Sequence, residues 1–199
     1  MLYQKDISKD PQTLFQINKP GNFFYFFRNR TEKIIFEITA PNSHILLYGI
    51  FENNNNENIS FITKQHHIAP NTSSQVIIKS ALRENTSLEH HGIIRLEKSS
   101  KKSKASFESR HLLLEESSQA SVKPYLEILT EDISCSHAVT ISPPNPELIF
   151  YLTTRGISQE QAKKILAKAF VNFSSQSLAL SHPSFFEKNI SEIKTFSGK

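Results

Sequence analysis

Only one cysteine, Cys135, occurs in 199 residues. An intrachain disulfide needs two, and a four-cysteine zinc or iron–sulfur site needs more still, so this chain builds neither by itself. Tryptophan is absent, and glycine occurs five times. There is no Asn-Gly or Asp-Gly pair, so tight two-residue hairpins have little support. Charge of one sign is scarce too. The 23 Lys+Arg against 19 Asp+Glu leave +4, too weak and too dispersed a balance for nucleic acid. The longest apolar runs, 23–27 and 44–51, fall far below the roughly 20 residues that span a bilayer. The first residues, with Lys5, Asp6, Lys9 and Asp10, resemble neither a secretory signal nor a transit peptide. The expectation is a cytoplasmic protein that engages neither nucleic acid nor membrane.

Among the residues present, phenylalanine, serine and asparagine stand out. Fifteen Phe and 38% hydrophobic residues supply a core and exclude global disorder. The 26 Ser and 14 Asn predict many turns. Segments rich in Ile, Val, Leu and Phe read as strands at 23–27, 33–39, 43–51, 59–63, 74–79, 92–96, 111–114, 125–129 and 133–141. Helices of βαβ type do not intervene. The Asn-rich stretch 52–58 reads as a solvated loop. Lys98–Lys104 is the one concentrated basic run, read as a turn between strands, with contact to an acidic partner as the alternative.

After Pro143-Pro144-Asn145-Pro146 the texture changes. Glu147–Arg155 reads as a short helix with Leu148, Tyr151 and Leu152 on one side, stopped by Gly156. Ser158 and Gln161 have capping-box spacing, opening a helix whose apolar stripe is Ala162, Ile165, Leu166, Ala169 and Phe170. A third helix is expected over 181–196. The plan is an N-terminal segment (1–22), a β body (23–143) and a helical C-terminal region (146–199). Short strands without hairpins suit the rungs of a parallel β-helix, but periodicity leaves a sandwich equally open. A rhythm of His66, His90, His111 and His137 is consistent with an irregular rung.

The densest chemistry lies in Asp132-Ile133-Ser134-Cys135-Ser136-His137. In a strand, Cys135 and His137 share a face, about 7 Å apart. A thiolate and an imidazole so placed suit iron or sulfur chemistry. The alternative is that both are core or interface residues on an apolar face. A Cys–His nucleophilic dyad lacks its orienting third group. His66-His67 and His90-His91 point to opposite faces pairwise and are no chelates. No Gly-rich phosphate loop, Gly-x-Ser-x-Gly or His-Glu-x-x-His occurs, so no bound nucleotide and no enzyme activity are expected.

The order His66-His67-Ile68-Ala69-Pro70-Asn71-Thr72, Gly92-Ile93-Ile94, Pro124-Tyr125-Leu126-Glu127-Ile128, Asp132-Ile133-Ser134-Cys135-Ser136-His137, Tyr151-Leu152 and Arg155-Gly156-Ile157 resembles the SufB/SufD family. These are the scaffold subunits of SUF iron–sulfur cluster assembly. Asp-Ile-Ser-Cys-Ser-His looks most like SufD.

The resemblance implies a mainly β fold, a right-handed parallel β-helix core with a small α-helical C-terminal region. It also implies a non-enzymatic scaffold working with a SufB-like partner and a SufC-like ABC ATPase, around an iron–sulfur cluster held transiently and shared with the partner. His137, with Cys135, corresponds to a half-site at the SufB–SufD interface. Tyr151, Arg155, Gly156 and Phe170 fall in the region that contacts the ATPase. Two departures stand out: family members carry a longer region before the Ala-Pro-Asn-Thr segment, and Ala138 stands where the family has Gly after the histidine. A structural β-helix adaptor that binds the ATPase but has lost the cluster role is the alternative.

Overall fold

Alternating apolar and small polar residues, many of them β-branched or aromatic, suit a pleated surface buried on one side. The computed structural model describes residues 2–53 and 56–171. It contains eleven strands: β1 (Leu2–Asp6), β2 (Leu14–Ile17), β3 (Gly21–Arg28), β4 (Ile34–Ile38), β5 (Ser43–Asn53), β6 (Asn58–His67), β7 (Ser73–Leu82), β8 (Ser87–Leu96), β9 (Ser103–Leu113), β10 (Gln119–Ile128) and β11 (Ile133–Ser142). Odd-numbered strands form one parallel sheet in the order β1-β3-β5-β7-β9-β11; even-numbered strands form a second, β10-β8-β6-β4-β2. The chain therefore passes back and forth between two facing sheets and climbs one strand spacing per circuit. This is a parallel β-solenoid, which decides between the two architectures that periodicity left open.

Register runs in unbroken columns. Ile45, Ser74, Ala105 and Cys135 stack in the odd sheet, so the rung is about 30 residues long there, in the range of solenoid repeats. The histidine rhythm is not this rung. His66 pairs with Arg95, and His137 with Phe107; the spacing arose from residues in different columns and sheets.

The lumen is filled by inward side chains of both sheets. Aromatic rings pack along it: Phe15, Tyr25 and Phe36 near the start, then Phe27, Phe51, Phe61, His90 and Phe107. Each fully buried Phe contributes on the order of 1.5–3 kcal/mol. β1 and β2 extend this packing into residues where the sequence suggested no element. Their turn is fixed by Arg30, 1% exposed, whose guanidinium donates to the carbonyls of Ile7, Asp10 and Gln12.

Two helices follow, α1 (Pro146–Thr154) and α2 (Gln159–Val171). Asn145 caps α1 by accepting from the Glu147 N–H at 2.8 Å, and Gly156 ends it at φ +82°, a region open to glycine. The Ser158/Gln161 capping box forms reciprocally, at 3.3 and 3.2 Å. The buried face of α2 is Ala162, Ala167 and Val171. Phe170 packs beside these on the outer face of the odd sheet. Of the predicted stripe, Ile165 and Ala169 are exposed; the buried face of the helix instead runs through Ala162, Ala167 and Val171. No residue of α1 is buried. The helix expected over 181–196 lies outside the described residues.

Candidate functional site

The solenoid has two unlike ends. At the first, inward positions of β1 carry Tyr3 and Lys5, in register with Phe23 and Tyr25. Lys5 of β1 pairs with Asp10 of the loop that follows at 2.6 Å, and β1 and β2 are only five and four residues long. Such features blunt an edge. At the other end, β10 pairs only with β8, and β11 only with β9. Both are ten residues long, and each has one unpaired flank.

The inward positions of this last turn are Ala120, Val122, Pro124, Leu126 and Ile128 on β10, in register with the inward residues of β8. On β11 they are Ile133, Cys135, His137, Val139 and Ile141. None is acidic, lysine or arginine. With no further rung above them among the described residues, apolar side chains stand open: Leu126 is 42% exposed, Ile128 42%, Val139 39% and Ile141 41%.

Cys135 and His137 lie on this face together, as the strand alternation predicted. Cys135 sits over Ala105 and is half-buried against the main core. Burial pushes its thiol pKa up, so the sulfur is held as a thiol until a metal or a cationic group draws off the proton. His137 is exposed and lies in register with Phe107, a core ring. Among the described residues, no group of three His, Cys, Asp or Glu is placed to hold a metal ion. Cys135 and His137 thus place one sulfur and one ring nitrogen at an open edge, fewer donors among the described residues than a metal ion takes.

The proposed ATPase-contact residues divide into two places. The Arg155 guanidinium lies 4.7 Å from the Tyr151 ring centroid, and Tyr151 is exposed beside Phe150, itself 70% exposed. Phe170 is on the other side of the helical pair, with the Lys79 ammonium 5.7 Å over its ring. Sequence reasoning assigned Phe150, Leu126 and Ile128 to no site; apolar residues in apparent core strands gave no sign that their rung was the last among the described residues. The basic run 98–104 spans the β8–β9 turn and enters β9, with Lys102 at φ +58°.

A groove of about 1520 Å³ runs between α1 and the corner loops that lead out of the odd sheet, bounded by Arg83, Glu115, Phe150, Glu160 and Lys163. Lys163 pairs with Glu115 at 3.0 Å and Arg83 with Glu160 at 3.3 Å. Among the described residues, no helix is long and apolar enough to cross a membrane.

Residues 28–170 match the family model described as SUF system FeS cluster assembly, SufBD core domain. Over 108 residues the chain is 32% identical to the iron–sulfur cluster assembly protein SufB of Bacillus subtilis (strain 168), covering 54% of this chain and 23% of that one. It is equally similar, at 32%, to a SufBD family protein of Staphylococcus saprophyticus. A SufBD family protein of Mycobacterium tuberculosis (strain ATCC 25618 / H37Rv) is 31% identical over the same length, 13% of that relative. The aligned part of the chain spans less than a quarter of each of these relatives.

Proposed function

This chain belongs to the SufBD family of iron–sulfur cluster assembly proteins, and we propose that within it the chain is a SufD-like scaffold subunit. In this reading the β10–β11 end docks a SufB-like partner. Cys135 and His137 form half of a shared site for a nascent cluster, which is cargo and not a resident group. α1 and the neighbouring groove receive a SufC-like ATPase, with Tyr151, Arg155 and Gly156 at the contact and Phe170 anchoring α2 to the solenoid. The work of this chain is scaffolding rather than catalysis, in a cytoplasmic complex.

The observation that carries the proposal is the contrast between the two ends. One is blunted by short strands and the Lys5–Asp10 pair. The other leaves two long strands with open flanks and uncharged inward faces, and the only thiol–imidazole pair of β11 stands there. Open edges of that kind take up another strand. A partner docked there would supply the missing donors and exclude water from them.

A second reading keeps the docking and drops the chemistry: an adaptor that has lost the cluster role. The protonated, half-buried Cys135 thiol favours it. Co-expression with SufB-like and SufC-like proteins, then anaerobic reconstitution with His137→Ala, separates the two. Loss of cluster yield in an intact complex supports the scaffold reading. Unchanged yield leaves the adaptor. Absence of any complex removes both.

A further inference from the structure

Three histidines, His67, His90 and His111, lie in the lumen at 0–1% exposure, and none takes part in the site above. Two of them belong to one chain of hydrogen bonds across the lumen. Thr63 Oγ1 of β6 meets His90 Nε2 at 2.9 Å. His90 Nδ1 meets Ser109 Oγ at 3.2 Å, Ser109 Oγ meets His111 Nε2 at 2.8 Å, and His111 Nδ1 meets Ser80 Oγ at 2.7 Å. The chain starts in the even sheet at β6 and β8 and ends in the odd sheet at β9 and β7. It lies directly beneath the last turn, since Ser109 and His111 are in register with Val139 and Ile141.

Donor counting restricts the proton positions. A neutral imidazole has one donor and one acceptor nitrogen, and a serine hydroxyl has one proton to give. If His90 is protonated on Nε2, its Nδ1 must accept from Ser109. Ser109 must then accept from His111 Nε2, and His111 Nδ1 accepts from Ser80. Reversing every bond puts both protons on Nδ1. A mixed pair either asks Ser109 to donate twice or leaves its proton without an acceptor.

We propose that Thr63–His90–Ser109–His111–Ser80 is an acid-released latch, a two-way proton relay that ties the two sheets together beneath the docking end. One excess proton is tolerated: a doubly protonated His111 donates to Ser80 and Ser109, and Ser109 still donates to His90. A second proton, on His90, leaves Ser109 facing two donors and sets two like charges on buried rings.

Among the described residues, no opposite charge nearby compensates. Facing the rings are Phe61 and Thr63 of β6, Ser80 of β7, Phe107 of β9, Val122 of β10, and Val139 and Ile141 of β11. The charged or titratable groups bearing on His90 are His111 and His91, the latter on the outer face of β8. On β11 the nearest are Cys135 and His137, which lie over Ala105 and Phe107. Burial pushes His111 down to about 4 and His90 well below its ordinary 6.5, so both are neutral at pH 7.

The test uses the full chain. Ring 15N–1H correlation spectra at pH 7 should show His90 and His111 as the same tautomer; a mixed pair overturns the relay. Amide hydrogen exchange, corrected for intrinsic rates, should show β8–β11 losing at least tenfold more protection than β3–β5 between pH 7 and pH 4. Equal losses at both ends overturn the latch. Ser109→Ala removes one small oxygen, severing the chain while leaving both rings. It should bring β8–β11 at pH 7 close to the protection of the wild-type chain in acid. Wild-type protection at pH 7 in that variant overturns the proposal.

Discussion

Gly92 lacks a side chain where the ring of Phe107 comes closest: a Cβ built there would lie 2.5 Å from Phe107 Cζ and 2.7 Å from Cδ2. Phe107 in turn is in register with His137 and packs against His90, with centroids 5.0 Å apart. Gly92→Ala must therefore displace a core ring that lies in register with the exposed histidine. Overpacking of this kind costs about 1–3 kcal/mol. Urea unfolding should report a loss in that range, and the His137 ring resonances should shift; an unchanged midpoint would show that the ring has room to move.

Acid should weaken the fold before any carboxylate is protonated. Burial lowers His67 and His111 to about 4 from 6.5, so between those values the unfolded chain binds protons that the native chain refuses. Their contribution is fully present above 6.5 and is lost as pH falls toward 4, at up to about 1.4 kcal/mol per pH unit for each histidine. The lowered carboxylates of Asp10, Glu89 and Glu97 act only below their ordinary range, so unfolding measured from pH 6.5 to 5 isolates the histidines. A flat profile there would mean that the rings titrate normally.

Lys102 holds a left-handed conformation, φ +58°, at the corner leading into β9. The corners stacked on it use asparagine: Asn71 at +54° and Asn42 at +57°. Asparagine tolerates this region, whereas a long side chain pays for its Cβ there. Lys102→Gly should stabilise the chain by several tenths to about 1 kcal/mol, the range for relieving such strain. Thermal unfolding checks it, and a lower midpoint would reveal a role for the lysine that its geometry does not suggest.

Arg30 tests whether the first turn is part of the cooperative core. Its side chain reaches three carbonyls of the 7–12 turn, an arrangement that a planar fork satisfies and an ammonium does not. Arg30→Ala leaves those carbonyls without a buried donor and should cost about 2–4 kcal/mol. Amide exchange should speed up in β1 and β2 first. Arg30→Lys should recover only part of the loss.

Strand composition, the capping box at Ser158 and the Gly156 stop were legible in the sequence because each is set by neighbours along the chain. Solenoid architecture was legible only through the family resemblance, which implied a parallel β-helix, since alternation looks the same whether the next strand is a hairpin partner or a rung about 30 residues away. The site divides in the same way. Cys135 and His137 share a face by strand parity alone. Their exposure depends on β11 being the last rung among the described residues, which no local pattern around Val139 or Ile141 announces. The polar lumen was equally hidden: His90 and His111 gain their partners from β6, β7 and β9.

The docking end makes the most direct functional prediction. Val139 is 39% exposed on the inward face of β11, two residues beyond His137. A lysine there can keep its ammonium in water while the chain is alone, so Val139→Lys should change the unfolding free energy by less than about 0.5 kcal/mol. In the proposed complex the same ammonium is buried against an uncharged end with no acidic partner from this chain, at a cost of several kcal/mol. Association with a SufB-like protein, measured by sedimentation velocity, should fall by at least a hundredfold while SufC-like binding through α1 persists. Undiminished association would move the interface away from the β10–β11 end. Cys135 and His137 would then lose their claim to a shared site.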